Sequence, residues 1–427
     1  MPGERPDRGS DPGDRRLRRT LTFIGLALAA TVLVGGLGWA LGGRLGGTSL
    51  NSGGAAASRG LGGPGGSGAA GPSSSGFEVT PEPTPRPPIG GTELVGYLPY
   101  WQLNNGMLDY LVQVPVTTLE LFSLTSRANG SLETTTTAYK RITGRLGKRA
   151  IAEAQARGAR VELVFSSFGE NRNGHLFRDP AVWTRAAAQL VSLARRLGAD
   201  GLNVDVELIA GDDFEGYTEF LGLLRTGLDA DGPARTLSVA TMANHAGAVL
   251  ARAAIAARVD RVFLMGYEYH WSGSQAGASA PIDRVDGEKD LQWSIAEYVT
   301  TGVPRSRIVL GLPLYGMSWP IDGPDATIAA TTGKGTTWIP TNHLAKLLDP
   351  AFLPTLDGFQ VGEYFVEADG PGWRATFYDS PRTLRPKLAL ARDQGLAGAG
   401  FWALGYERGL PGYLELMRDF RAGRVER

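Results

Sequence analysis

The chain contains no cysteine. Disulfides and thiolate metal sites are therefore excluded. Histidine is scarce as well, and the four present (His175, His245, His270 and His343) show no close ligand spacing, so a metal centre is not expected. Net charge is also missing: 43 basic residues balance 43 acidic ones. No basic stripe interleaved with aromatics runs along the chain, so nucleic acid is not an expected partner. There is no internal repeat and no recognisable second binding module.

What is present divides into an amino-terminal part that cannot form a core and a globular remainder. Arg15, Arg16, Arg18 and Arg19 close a basic segment at 1–19, and the run from Thr20 to Gly43 then carries no charged residue. About 20 apolar residues suffice to span a bilayer. With the arginines held inside by the positive-inside rule, the expectation is an uncleaved anchor that leaves the rest of the chain outside the cell membrane. A cleaved signal peptide is the alternative, since Gly38-Trp39-Ala40 offers a small-x-small site. Residues 44–91 are rich in Gly, Ser and Ala and close on PEPTPRPP at 81–88. Such a composition reads as a disordered linker, flexible first and stiffer toward the prolines. As a random coil it would reach roughly 35 to 40 Å.

From residue 92 to 427, short apolar runs alternate with amphipathic stretches in the rhythm of a parallel sheet. Strands are predicted at 94–99, 117–124, 160–167, 200–207, 236–242, 260–267, 307–313 and 398–404. Helical spacing of Leu and Ala marks 140–157, 180–197 and 214–229. Eight strands is the number of an α/β (β/α)8 TIM barrel. Turn signals and β-like runs around Tyr364 and Trp373 predict a small α+β insertion after strand seven, at about 317–378, forming one wall of a cleft.

The stretch DGLNVDVE, Asp200 to Glu207, is the most informative. As a strand it points Asn203, Asp205 and Glu207 to one face and Leu202, Val204 and Val206 to the other. In a barrel the acidic face turns inward, and Glu207, last in the row, reaches the mouth where such folds place their active sites.

These residues sit among further motifs: VGYLPYW (95–101), VFSSFGE (164–170), LMGYEYHW (264–271), GLPLYG (311–316) and GAGFWALGYE (398–407). Together they resemble glycoside hydrolase family 18, the chitinases and related N-acetylglucosaminidases. DGLNVDVE stands where that family has DGxDxDxE, and the ending resembles bacterial cell-wall and spore-type members. The resemblance implies a retaining glycosidase cleaving β-1,4 bonds beside N-acetylglucosamine in peptidoglycan or chitin, without metal or organic cofactor.

In the implied chemistry Glu207 is the acid that protonates the leaving oxygen, and the substrate's own acetamido carbonyl attacks the anomeric carbon. Asp205 would orient the acetamido group and Tyr267 would hold its carbonyl. Trp402 resembles the platform under the sugar, with Tyr97, Trp101, Met265, Glu268 and Tyr315 as plausible binding neighbours. Two departures stand out. Asn203 replaces an aspartate, so the usual shared proton is missing and Asp205 is expected to stay ionised over a wider pH range. Glu268 replaces the Asp of MxYD. The alternative reading, a carbohydrate-binding barrel without catalysis, is disfavoured by the presence of Glu207.

The amino-terminal reading has a direct test. The protein should sediment with membranes, and its carboxy-terminal part should become accessible to external protease once the wall is removed. A mature form beginning just after Ala40 would show that the segment is a cleaved signal instead.

Overall fold

A computed structural model describes residues 92–426, apart from 233–234 and 285–286. The basic segment 1–19, the apolar run 20–43 and the linker 44–91 lie outside the described residues. Among the described residues, no helix is long and apolar enough to cross a membrane.

Seven parallel strands follow in sequence: β1 (Glu93–Pro99), β2 (Thr118–Leu124), β3 (Arg160–Phe168), β4 (Gly201–Glu207), β5 (Thr236–Met242), β6 (Arg261–Met265) and β7 (Ile308–Pro313). The chain then builds a separate antiparallel sheet from β8 (Gly316–Ile321), β9 (Thr336–Trp338), β10 (Thr355–Asp357), β11 (Gly362–Asp369) and β12 (Gly372–Tyr378). Finally β13 (Gly398–Trp402) slots between β7 and β1 and closes the barrel.

Local chemistry explains the boundaries. The helix Pro180–Leu197 starts where Asp179 accepts a hydrogen bond from the Ala181 amide and Pro180 supplies a preset first turn; it stops at Gly198, which takes the left-handed conformation (φ 68°). The strands start where the sequence places them, to within a residue. Two end early. Strands six and eight were expected to run to 267 and 404, but they stop at Met265 and Trp402. After β6 the Gly266 and Tyr267 amides bond back to the Leu264 and Met265 carbonyls, and Glu268 adopts φ 63°, so the backbone leaves the ladder. Tyr267 and Glu268 therefore sit on a loop and not on the strand.

The barrel interior is packed and, unusually, ionic. The Phe263 ring lies across the lumen, and a β-carbon on Gly311 or Gly400 would come within 2.3 or 2.7 Å of it. Glycine on β7 and β13 is what admits the ring. Below it, Arg261 of β6, itself part-buried, donates through Nε to the buried Glu93 of β1 at 2.8 Å. Glu120, Glu162, Asn203 and Ser238 share this lower layer.

The inserted sheet braces the loop that follows β6: Gly335 donates to the Ser272 carbonyl at 2.7 Å, and the Gln360 carbonyl and side-chain oxygen accept from Ile282 and Ala278 at 3.2 and 3.1 Å. At its exit, Asp379 is ion-paired with Lys387 of the helix Pro381–Asp393, with both side chains buried. Thr383 also donates to Asp379, at 2.7 Å. Removing one member of such a pair strands the other charge in a dry interior. Lys387→Met should accordingly lower unfolding free energy by about 3–5 kcal/mol, measured by urea denaturation, whereas a change below about 1 kcal/mol would show that the pair is solvated.

Candidate active site

The register of β3, β4 and β5 sets the inner face of the barrel, pairing Ser166 with Asp205 and Asp205 with Ala240. Asn203, Asp205 and Glu207 therefore ascend one inward line, as alternation requires. All three are buried. The end of this line is tied down by backbone contacts: the Glu207 carbonyl accepts from the Gly169 amide at 3.1 Å and from Asn173 Nδ2 at 2.6 Å. Asn173 also donates to the Leu208 carbonyl at 3.1 Å, holding a residue whose φ is 60°. A single buried amide thus fixes where β4 stops and where Glu207 begins its turn outward.

Above lies an open cleft lined by Asp205, Glu207, Met265, Tyr267, Glu268 and Trp402, all residues that the sequence marks as candidates. The remaining candidates are placed differently. Asn203 lies deeper, in the lower polar layer. Tyr97 is buried, with its ring packed 5.8 Å from Trp402 and 4.8 Å from Phe263. Trp101 is half-buried on the turn after β1, edge-on to Trp402 at 6.3 Å, and its Nε1 donates to the Tyr406 hydroxyl. Tyr315 is buried and donates to Glu268 Oε1 at 3.2 Å. Tyr97, Trp101 and Tyr315 are supports of the lining rather than parts of it.

Met242, Ala243, Asn244 and Tyr269 complete the lining, and sequence reasoning missed them. Met242 ends β5 and Ala243 and Asn244 follow it directly, and position at a strand's carboxyl end was the one available signal. Tyr269 is fixed by donating to Ser294 Oγ at 2.6 Å, and Ser294 donates in turn to the Ala243 carbonyl at 3.1 Å.

Burial governs the electrostatics. The Glu207 carboxyl is held well above the usual carboxylate range, first by desolvation and then by the charges of Asp205 and Glu268. Burial pushes Asp205 up to about 7. The expectation that Asp205 stays ionised over a wider pH range is thereby corrected: Asn203 removes a neighbouring charge, but the loss of water matters more. Glu268 is also raised to about 7 by burial, offset in part by the hydrogen bond from Tyr315. The Tyr267 phenol is raised by burial and then by all three carboxylates, so it remains a neutral hydrogen-bond donor. Asp205 and Glu207, side by side on β4, titrate as a coupled pair. The arrangement offers a protonated acid, a second carboxyl beside it, a phenolic donor and an indole face. Among the described residues no cluster of His, Asp or Glu could hold a metal ion.

Comparison with known proteins agrees with this geometry. The model of the glycosyl hydrolases family 18 matches residues 94–407. A cortical fragment-lytic enzyme of Bacillus anthracis is 23% identical over 300 residues, covering 68% of this chain and 65% of that protein. The chain thus spans somewhat less than two thirds of that relative's length. Among solved structures, a family 18 N-acetylglucosaminidase from Paenibacillus barengoltzii shares the fold with a TM-score of 0.65 and 20% identity, over 77% of this chain and all of the other. The spore cortex-lytic enzyme SleL of Bacillus cereus does so at 0.62 and 18%, over 77% and 74%. With the family model covering most of the chain, from the first barrel strand to the turn after the last, this protein belongs to the glycosyl hydrolases of family 18.

Proposed function

We propose that this chain hydrolyses β-1,4 bonds beside N-acetylated amino sugars in a wall-type polymer, peptidoglycan or chitin, with retention of configuration. The observation that carries the proposal is the pair Asp205 and Glu207, buried at the carboxyl end of β4 under an open cleft that Trp402 also lines. Glycosidic cleavage needs a carboxylic acid that stays protonated near neutral pH, and desolvation supplies one in Glu207. Family 18 is an exception to the rule of two carboxylates in which the substrate's acetamido oxygen is the nucleophile. In that scheme Asp205 accepts the acetamido N–H and Tyr267 donates to the carbonyl. Trp402 gives the sugar ring an apolar face.

The relatives named for cortex fragments favour peptidoglycan as the polymer. An anchor at 20–43 followed by a linker at 44–91 would hold the barrel outside the membrane and within reach of the wall.

Two outcomes test the chemistry. Glu207→Gln should reduce kcat by at least about 10²–10⁴-fold on N-acetylglucosamine oligomers while circular dichroism and the unfolding midpoint stay unchanged. Near-normal turnover in that variant would remove Glu207 from the role of acid. Separately, the cleavage should depend on the acetamido group: a thiazoline mimic of the cyclised intermediate should inhibit competitively, and fully deacetylated oligomers should resist hydrolysis. Mass-spectrometric detection of a glycosyl ester, with Glu268 as the carboxylate available for one, would overturn the substrate-assisted scheme.

A further inference from the structure

Glu120 of β2 and Glu162 of β3 face each other inside the barrel, both buried and linked by a hydrogen bond between their carboxyl groups. Two carboxyls in hydrogen-bond contact hold a proton between them. Its place follows from the partners. Glu162 Oε2 accepts from the Ser238 hydroxyl, which also lies within reach of Glu120, whereas Glu120 Oε2 has no hydrogen-bond partner among the described residues. Glu162 is thus the better hydrogen-bonded member; burial pushes its carboxyl up to about 7, so above neutral pH it carries the charge and Glu120 the proton. Burial, and then the charge of Glu162, hold Glu120 well above the ordinary range.

The arrangement continues upward. Ser238 has one hydrogen, committed to Glu162, so whatever faces its oxygen must donate. That group is Asn203 Nδ2, at 2.7 Å. The amide orientation is fixed in this way, and Asn203 Oδ1 is left without a partner, as is Asp205 Oδ1 two residues further along the same face. A cavity of about 20 Å³ lies among Glu120, Glu162, Asn203 and Ser238, room for about one water.

We propose that the Glu120–Glu162 pair is a positioning device for the catalytic carboxyls, in which a proton kept on Glu120 leaves Glu162 as the buried anion that orders Ser238 and Asn203 and replaces the charge lost where Asn203 stands for an aspartate. The proposal deepens the glycosidase reading and rests on it. The other ionisable groups facing the pair are accounted for. Glu93 of β1 is neutralised by Arg261 of β6, and Asp260 is paired with Arg225. Tyr97 of β1, whose hydroxyl has no hydrogen-bond partner among the described residues, feels Glu120 and Glu162 as well as Asp205. Residues Val309 and Gly400 from β7 and β13 add no charge.

The expected size follows from the register. Glu162 pairs with Gly201, six residues before Glu207, or about 20 Å along a strand. At that separation and an effective dielectric of about 20, a unit charge shifts a neighbour's pKa by roughly half a unit to one unit. An anion below raises the pKa of the acid above, so losing it lets the acid deprotonate at lower pH.

The test is the pH dependence of kcat/KM. In Glu162→Gln the alkaline limb should move down by about half a unit to one unit, with KM unchanged at low pH. In Glu120→Gln, which replaces a protonated carboxyl by a neutral amide, the limb should hold its place. A purely structural pair would lower stability in both variants and move neither limb. Superposition of the parent and Glu162→Gln limbs overturns the proposal, and so does an equal shift in the two variants. Infrared spectra in the Glu207→Gln background, which need no activity, decide the case if Glu162→Gln does not fold. A protonated-carboxyl C=O band should persist at pH 8 and vanish when Glu120→Gln is added, and its absence before that change refutes the assignment. Because these spectra are independent of turnover, they can fail while the glycosidase reading stands, and the reverse also holds.

Discussion

The structure depends on the removal of water from the inner face of β4. Closing eight strands into a barrel puts Asn203, Asp205 and Glu207 inside, where an isolated charge is far costlier than in water. Every polar group on that face must then be neutral, paired or sharing a proton. Glu207 and Asp205 answer by keeping protons to higher pH, Tyr267 by staying a phenol, and Glu93 by meeting Arg261. The same desolvation that would destabilise a charged strand makes a carboxylic acid at neutral pH, which leaving-group protonation needs.

Positioning such groups falls to backbone contacts more than to side chains. Asn173 and the Gly169 amide hold the Glu207 carbonyl, so the acid leaves β4 at a fixed point. On the other side of the cleft, the loop after β6 would be free to move without support. The insertion supplies it, through Gly335 and Gln360 on the loop and the buried Lys387–Asp379 pair at its base. Tyr315, at the junction of barrel and insertion, then reaches Glu268 directly. Through these contacts the inserted sheet helps determine where Tyr267, Glu268 and Tyr269 stand.

Most of this frame was legible in the sequence, because alternation and apolar runs report burial, and burial defines barrel strands. DGLNVDVE shows its inward face residue by residue, and the eight strands start where the patterns do. Legibility failed where a few hydrogen bonds outweigh pattern. Nothing in LMGYEY announces that Gly266 and Tyr267 bond back by two residues and end β6. Asn173 lies in an ordinary helical stretch, and only the tertiary fold brings its amide to β4. Met242, Ala243 and Asn244 enter the site at the carboxyl end of β5, a matter of topology. Glu120 and Glu162 are a different case: each interrupts a run of apolar residues, in TLELF and RVELVF, and an acidic residue in mid-strand was a visible anomaly.

That anomaly bears on the change of aspartate to asparagine at 203. With Glu162 charged beneath it, an aspartate at 203 would stand between one buried anion and the coupled pair of Asp205 and Glu207, and the Arg261 that lines this layer is already paired with Glu93. Like charges so placed raise one another's pKa until one takes a proton, and the order of protonation would become ambiguous. An amide removes the ambiguity. It donates to Ser238 in a single orientation, adds no charge, and leaves the anion one layer lower, where it is shielded from substrate by the packed lumen. Under the proposed role of the Glu120–Glu162 pair, it and Asn203 are one solution to one problem: supplying negative potential beneath Glu207 without placing a third titrating carboxyl in contact with it.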